Sequence, residues 1–228
     1  MNDILHERTI RLIGKQAMKI LMDKKVVLIG LGGVGSYVLE ALARAGIGNL
    51  VLVDYEKIEE SNINRQILAL HSTIGMLKTD AAYIRVKDIN PGINVEIHNI
   101  FVTKSNIGEI IPDNTDYVID AIDSIQSKID IIRYSKNKGI NIISCMGTGN
   151  KVDNTGFKIT TIDKTDTCPL ARKVRKILTS EGIKDVEVLY STCTNLVNDS
   201  NIISSISYVP SVAGLMIAGH VIRKMINL

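Results

Sequence analysis

The stretch KVVLIGLGGVG, Lys25 to Gly35, constrains this chain more than any other. A short apolar run ends in glycine, and glycines at 30, 32 and 35 fit G-x-G-x-x-G before a helical pattern begins. Glycines so placed permit a tight strand-to-helix turn. They also let backbone N–H groups approach a phosphate at the positive end of the helix. The helix is expected over residues 34–45, stopped by Gly46. A second buried strand, NLVLVD over residues 49–54, ends in Asp54, where a carboxylate can accept hydrogen bonds from ribose hydroxyls. Strand, turn, helix and acid agree with one another, so the unit reads as a βαβ site for adenosine with a diphosphate. That fingerprint serves NAD and ATP alike.

The rest of the chain continues the alternation. Ile10, Ile13, Ala17 and Ile20 recur at helical spacing near the N-terminus. A helix is expected over residues 79–89, stopped by Asn90-Pro91-Gly92. Strands follow over 93–99 and 116–123 with a short helix near Ile107 between them, then a helix over 124–138 and a strand over 140–144. Strands alternating with helices give an α/β fold: a Rossmann-like, doubly wound, mostly parallel sheet covered on both faces. Beyond Gly149 the rhythm changes. Strands over 156–163 and 185–191 read as an antiparallel pair around a basic helix over 169–178, and Pro210 is expected to begin a terminal helix. This part reads as an antiparallel C-terminal extension of one fold, because no linker sets it apart.

Composition narrows the class. At 228 residues, with 45% hydrophobic and 22% charged residues, the chain reads as an ordinary soluble globular protein. A net charge of +3 permits a nucleic-acid partner without arguing for one. Cys145, Cys168 and Cys193 are far apart and form no CxxC pair, which argues against a zinc ribbon and a disulfide framework. They read as reduced thiols. His6, His71, His98 and His220 show no metal spacing. The N-terminal segment carries charges throughout, unlike a signal peptide, and a reducing cytoplasm is the expected compartment. The most apolar segment, residues 209–222, is short and is interrupted by Gly214, Gly219 and His220, so it reads as a buried helix rather than a membrane span.

The segment SNINRQ, residues 61–66, favours ATP over NAD. Asn62, Asn64, Arg65 and Gln66 follow Asp54 where the chain leaves the carboxyl edge of the sheet, the edge at which such folds bind ligands. Arg65 can hold a phosphate through two parallel hydrogen bonds, and the amides can donate to further oxygens. Lys78 can add a second point charge. In the IDAID run, Asp120 reads as buried, while Asp123 at the strand end is the better carboxylate for Mg2+. Asp123 could instead cap the next helix, a role that Ser124 could also fill. An NAD-linked oxidoreductase would leave SNINRQ and Asp123 without work. A non-catalytic nucleotide scaffold would bind ATP without turnover.

The motifs GLGGVGS, VLVD, SNINRQ, GMLKTD and IDAIDS together resemble the adenylating domain of the ubiquitin-activating superfamily. A narrower likeness runs over residues 4–225. RLIG, EALARAGIGNLVLVD, NINRQI with ALHSTIG, DINP, YVIDAID, MGTGNK, PLARKVRK, YST and VPSVAGLMIAGHVI resemble the tRNA threonylcarbamoyladenosine dehydratase branch. The resemblance implies a single adenylating domain over 1–228 with its nucleotide-binding core at about 25–150. It implies ATP and Mg2+, an acyl-adenylate intermediate on the tRNA, and loss of water by cyclisation. Gly30, Gly32, Gly33, Gly35, Asp54, Asn62, Asn64, Arg65, Gln66, Lys78, Asp123 and Ser124 would form the nucleotide site. Asp54 would hold the ribose, and Gly32 and Gly33 would face the α-phosphate. Asn64, Arg65 and Lys78 would grip the outer phosphates, and Asp123 would anchor Mg2+. Arg8 matches an arginine that the superfamily reaches into the partner subunit's site, which implies a homodimer. The other reading of Arg8 is a solvated residue on an amphipathic helix. Arg172, Lys173, Arg175 and Lys176 could lie along tRNA phosphates. Cys168 and Cys193 stand where the branch is expected to have acids. A sulfur-transfer or redox accessory protein is a further expected partner. The rival within the superfamily is adenylation of a sulfur-carrier protein's C-terminus.

Overall fold

The apolar runs on either side of the glycine turn form adjacent parallel strands. In the computed structural model, which describes residues 4–196 and 203–228, β1 (Lys25–Ile29) pairs with β2 (Asn49–Val53) from Lys25 opposite Asn49 to Ile29 opposite Val53. β3 (Asn94–His98) adds outside β2, and β4 (Tyr117–Asp120) and β5 (Asn141–Cys145) add on the other side of β1. β7 (Glu187–Ser191) runs parallel to β5, and β6 (Phe157–Thr161) pairs antiparallel with β7 at the edge. The seven-stranded order is β3-β2-β1-β4-β5-β7-β6. Direction of build reverses between β1 and β4, so a crevice opens at their carboxyl ends.

Two apolar layers sandwich this sheet. On one face, Leu39 and Leu42 of α2 (Gly35–Ala45), Ala82 and Val86 of α3 (Lys78–Ile89) and Ile217 and Val221 of α7 (Tyr208–Met225) pack with Leu28 and Leu52. α1 (Glu7–Asp23), interrupted at Gly14, adds Leu21 to that face. On the other face, Ile110 of α4 (Ile107–Ile110), Ile131 of α5 (Ile125–Lys138) and Val174 of α6 (Pro169–Ser180) meet Val27 and Val118. The strands are buried from both sides, which is why they read as continuous apolar runs rather than alternating ones.

Two boundaries that matter to the site differ from the sequence reading. β4 stops at Asp120, so Ala121 to Asp123 form a loop rather than the end of the strand. Ala121 still donates its N–H to the Ile29 carbonyl, but Ile122 turns its N–H back to the Asp120 carboxylate. The terminal helix starts at Tyr208, and Pro210 sits within its first turn, where no intrahelical N–H is required. This helix is buried against α2, with Gly214 so close to the Val34 carbonyl that an added Cβ would lie 2.4 Å from it. Among the described residues no helix is long and apolar enough to cross a membrane.

Candidate functional site

The carboxyl ends of β1, β2, β4 and β5 border a cavity of about 970 Å³. The glycine turn forms its floor. Gly30 has φ +92°, a conformation that L side chains rarely adopt. Gly35 serves a different purpose from the one expected. A Cβ there would lie 1.7 Å from the Gly30 carbonyl, and Gly35 does not line the cavity. It lets α2 dock against the strand, while Gly30, Gly32 and Gly33 face the open space.

Asp54 closes β2 beside this floor. Its Oδ2 accepts the Leu31 N–H at 2.7 Å and its Oδ1 accepts the Glu56 N–H at 2.9 Å. The carboxylate is thereby aimed from one wall. Across it, SNINRQ leaves a short 3-10 turn (Glu60–Asn62) and continues through a further turn that divides the expected group. Asn62 and Gln66 are buried and line the cavity. The Gln66 carboxamide oxygen has no hydrogen-bond partner among the described residues. Arg65 lines the cavity too, and its NH1 donates to the Ser61 carbonyl at 2.9 Å and to Asn64 Oδ1 at 2.8 Å. No carboxylate pairs with it among the described residues. Asn64 does not reach the cavity. Its amide donates to the Ser205 carbonyl at 3.2 Å, because the turn points it outward against a later loop. Lys78, the first residue of α3, is buried in the cavity wall and paired with Glu56.

On the opposite wall the cap is settled. Ser124 Oγ accepts the Ser127 N–H at the start of α5, and Asp123, exposed and one residue earlier, faces the cavity. Among the described residues no group of three or more His, Cys, Asp or Glu side chains could hold a metal ion by itself. A Mg2+ ion needs few protein ligands when phosphates supply the rest, so one carboxylate suits that use.

Several contributors escaped the sequence reading. Beneath the Asp123 loop lies a fully buried pair, with Lys128 Nζ 2.7 Å from Asp120 Oδ2. Ser144 Oγ donates to the same oxygen at 2.6 Å, and Lys128 also donates to the Cys145 carbonyl at 2.9 Å. Asp120 was expected to be buried; its partner was not foreseen, although acid and lysine eight residues apart across a strand–helix turn could have signalled it. Tyr55 and Phe101 meet edge-on at the rim, 5.0 Å between ring centroids, with Ile100 beside them. Such a rim suits a flat ring. Lys151, 6% exposed, lines the far end.

Other expected residues lie elsewhere. Arg8 is exposed on α1 and does not line its own chain's cavity. On α6, Arg172, Lys173 and Lys176 are exposed, but Arg175 is tied to Thr165. All three cysteines are free. Burial pushes the Cys145 thiol up to about 12, which leaves it un-ionised and a poor nucleophile near neutrality.

This geometry has close counterparts. The ThiF family model matches residues 6–228. A tRNA threonylcarbamoyladenosine dehydratase of Bacillus subtilis (strain 168) is 40% identical, over 94% of this chain and 92% of that protein. The crystal structure of the E. coli tRNA N6-threonylcarbamoyladenosine dehydratase TcdA in complex with AMP superposes with a TM-score of 0.94 at 33% identity, covering 99% of this chain and 95% of that one. The same E. coli protein in complex with ATP gives 0.93 at 32% identity, with the same coverage. On the family match and the relative spanned almost end to end, this chain belongs to the ThiF family and stands within its tRNA threonylcarbamoyladenosine dehydratase branch.

Proposed function

We propose that the chain binds ATP and Mg2+ in this cavity and uses the ATP to dehydrate threonylcarbamoyladenosine beside the anticodon of tRNA. The observation that carries the reading is the arrangement of charged and amide side chains around the glycine turn. Arg65, Gln66 and Lys78 stand on one wall and Asp123, released from capping, on the other. A dinucleotide oxidoreductase gives these side chains nothing to do. The solved E. coli relatives hold AMP and ATP, which agrees.

Each residue then has a task. Asp54 receives the ribose hydroxyls, and the Tyr55–Phe101 rim offers apolar surface to the base. Backbone N–H groups at Gly32 and Gly33 face the α-phosphate, while Arg65 and Lys78 balance charge on the outer phosphates. Bound at Asp123, Mg2+ would neutralise the phosphates further. The threonyl carboxylate attacks the α-phosphorus, the α–β bridging P–O bond breaks, and pyrophosphate leaves. A neighbouring atom of the same side chain then adds to the activated carbonyl and AMP departs with the carboxylate oxygen. Alignment and charge neutralisation do this work; no protein nucleophile is required, in keeping with the un-ionised Cys145.

The same reading makes the chain a homodimer. Leu12 on α1 and Leu215 on α7 are 84% and 47% exposed, apolar side chains that a second copy would cover; in such a dimer Arg8 would reach toward the partner's cavity. The test of the main proposal is mass analysis of tRNA nucleosides after incubation with enzyme, ATP and Mg2+. Loss of one water from threonylcarbamoyladenosine is expected. Unchanged tRNA, with ATP–pyrophosphate exchange triggered by a carrier protein ending in Gly-Gly, would favour sulfur-carrier adenylation instead.

A further inference from the structure

The sheet order separates two ends of the cavity. Asp54 ends β2, while residues 146–151 follow β5, three strands away. At the usual spacing between strands that is roughly 14 Å. Adenosine and phosphates seated on the β2–β1 side leave the β5 side for the acid to be activated. Among the described residues four cations line the cavity: Lys57, Arg65, Lys78 and Lys151. The first three belong to the segment just after β2, so Lys151 is the one at the β5 end.

Among the described residues the hydrogen-bond partners of Lys151 are neutral. Nζ donates to the Cys193 carbonyl and to Asn195 Oδ1 at 2.8 Å, both neutral acceptors. Among the described residues no carboxylate pairs with it. A buried ammonium without a counter-charge is costly, and an arriving anion relieves that cost. The backbone before it is fixed with equal care. Asn150 lies in the left-handed region at φ +57°. Its N–H donates to the Ser204 carbonyl, its side chain accepts the Ser204 N–H, and its carbonyl accepts the Leu196 N–H, each at 2.7 Å. Strained backbone persists where neighbours over-determine it, and it clusters at sites of function. Gly149 keeps the approach close, since a Cβ there would meet the Ile203 side chain at 2.3 Å.

We infer that Lys151 receives the substrate carboxylate at the β5 end of the cavity and that Asn150 positions it. The inference rests on the carboxylate-activating reading above and names the residue that selects an acid over its uncharged counterparts. The experiment compares binding of two tRNAs, one carrying threonylcarbamoyladenosine and one carrying its methyl ester, with AMP present so that no turnover occurs. The wild-type protein should prefer the acid by about 10- to 100-fold, the range of a charge-assisted hydrogen bond. Lys151→Gln should bind both tRNAs alike while its AMP affinity matches wild type. Asn195→Ala removes one anchor of the lysine but keeps its charge, and it should retain most of the preference. A folded Lys151→Gln protein that still prefers the acid overturns the inference. If that variant does not fold, Lys151→Arg is read in its place: it should keep a preference of about tenfold, and a folded protein indifferent to the ester overturns the inference. Failure of the underlying reading looks different, because the wild-type protein would then neither distinguish the tRNAs nor dehydrate the acid with ATP.

Discussion

The two ends of the cavity are built by opposite means. At the nucleotide end the parts are near one another in the chain: the glycine turn, Asp54, the 61–66 turn and Lys78 fall within one βαβ unit and the helix after it. Backbone groups do much of the work there, as when the Leu31 N–H fixes Asp54. At the β5 end the parts come from segments far apart. Lys151 reaches Cys193, Asn150 joins Ser204, and the Tyr208 hydroxyl donates to the Val152 carbonyl at 2.6 Å. A short contiguous motif can carry phosphate chemistry shared by many enzymes. Choice of substrate rests on loop crossings that only the finished fold creates.

The strongest way to break this contrast is to remove what both ends share. Lys128→Met leaves Asp120 as an unpaired buried charge beneath the Asp123 loop, with an expected loss of about 3–5 kcal/mol of stability in denaturant unfolding. Pairing it with Asp120→Asn should recover much of that loss. Next come changes at the nucleotide end alone. Arg65→Ala or Asp123→Asn should slow ATP–pyrophosphate exchange tens-fold or more, each removing about 1.5–3 kcal/mol of charge-assisted contact, with little change in thermal midpoint. A folded Arg65→Ala protein with normal exchange would show that the phosphates are gripped elsewhere.

A smaller effect lies at the opposite edge of the sheet. Hydrogen bonds from His220 above all, then Lys224 and Tyr117, hold Glu187 down to about 2 against an ordinary 4.5. Because the folded value is depressed, its stabilisation is fully present above about 4.5 and drains away as pH falls toward 2. Glu187→Gln should flatten the acid limb of a stability–pH curve and leave nucleotide affinity untouched. The smallest expected change is Ser124→Ala. Losing this cap should cost about 1 kcal/mol, and exchange activity should drop only if Asp123 swings in to cap α5 in its place.

Legibility followed the same divide. Parallel strands, both covering layers and the antiparallel pair at the end could be read because apolar runs and glycine stops are local signals. That Gly30, Gly32, Gly33, Asp54, Arg65 and Lys78 gather around one cavity was readable for the same reason. Asn64 misled because spacing alone cannot say which residues of a tight turn point inward. Gly35 matched the fingerprint yet serves packing, since spacing does not separate a glycine near phosphate from one near a carbonyl. The extra length assigned to β4 arose because Ala121 and Ile122 continue an apolar run after the ladder has ended at Asp120. Lys128 and Lys151 looked like any other lysines, since their roles depend on acceptors brought by other strands and loops.

The docking of α7 on the glycine turn has a consequence for how the protein comes into being. Gly33 faces Pro210 across a gap that leaves a methyl group only 3.2 Å, and Gly214 abuts the Val34 carbonyl. The glycine turn is therefore translated well before α7, and it gains this supporting wall only when residues beyond 208 emerge from the ribosome. Until then a nascent chain would carry the motif without a finished pocket, and nucleotide capture would follow the docking of α7.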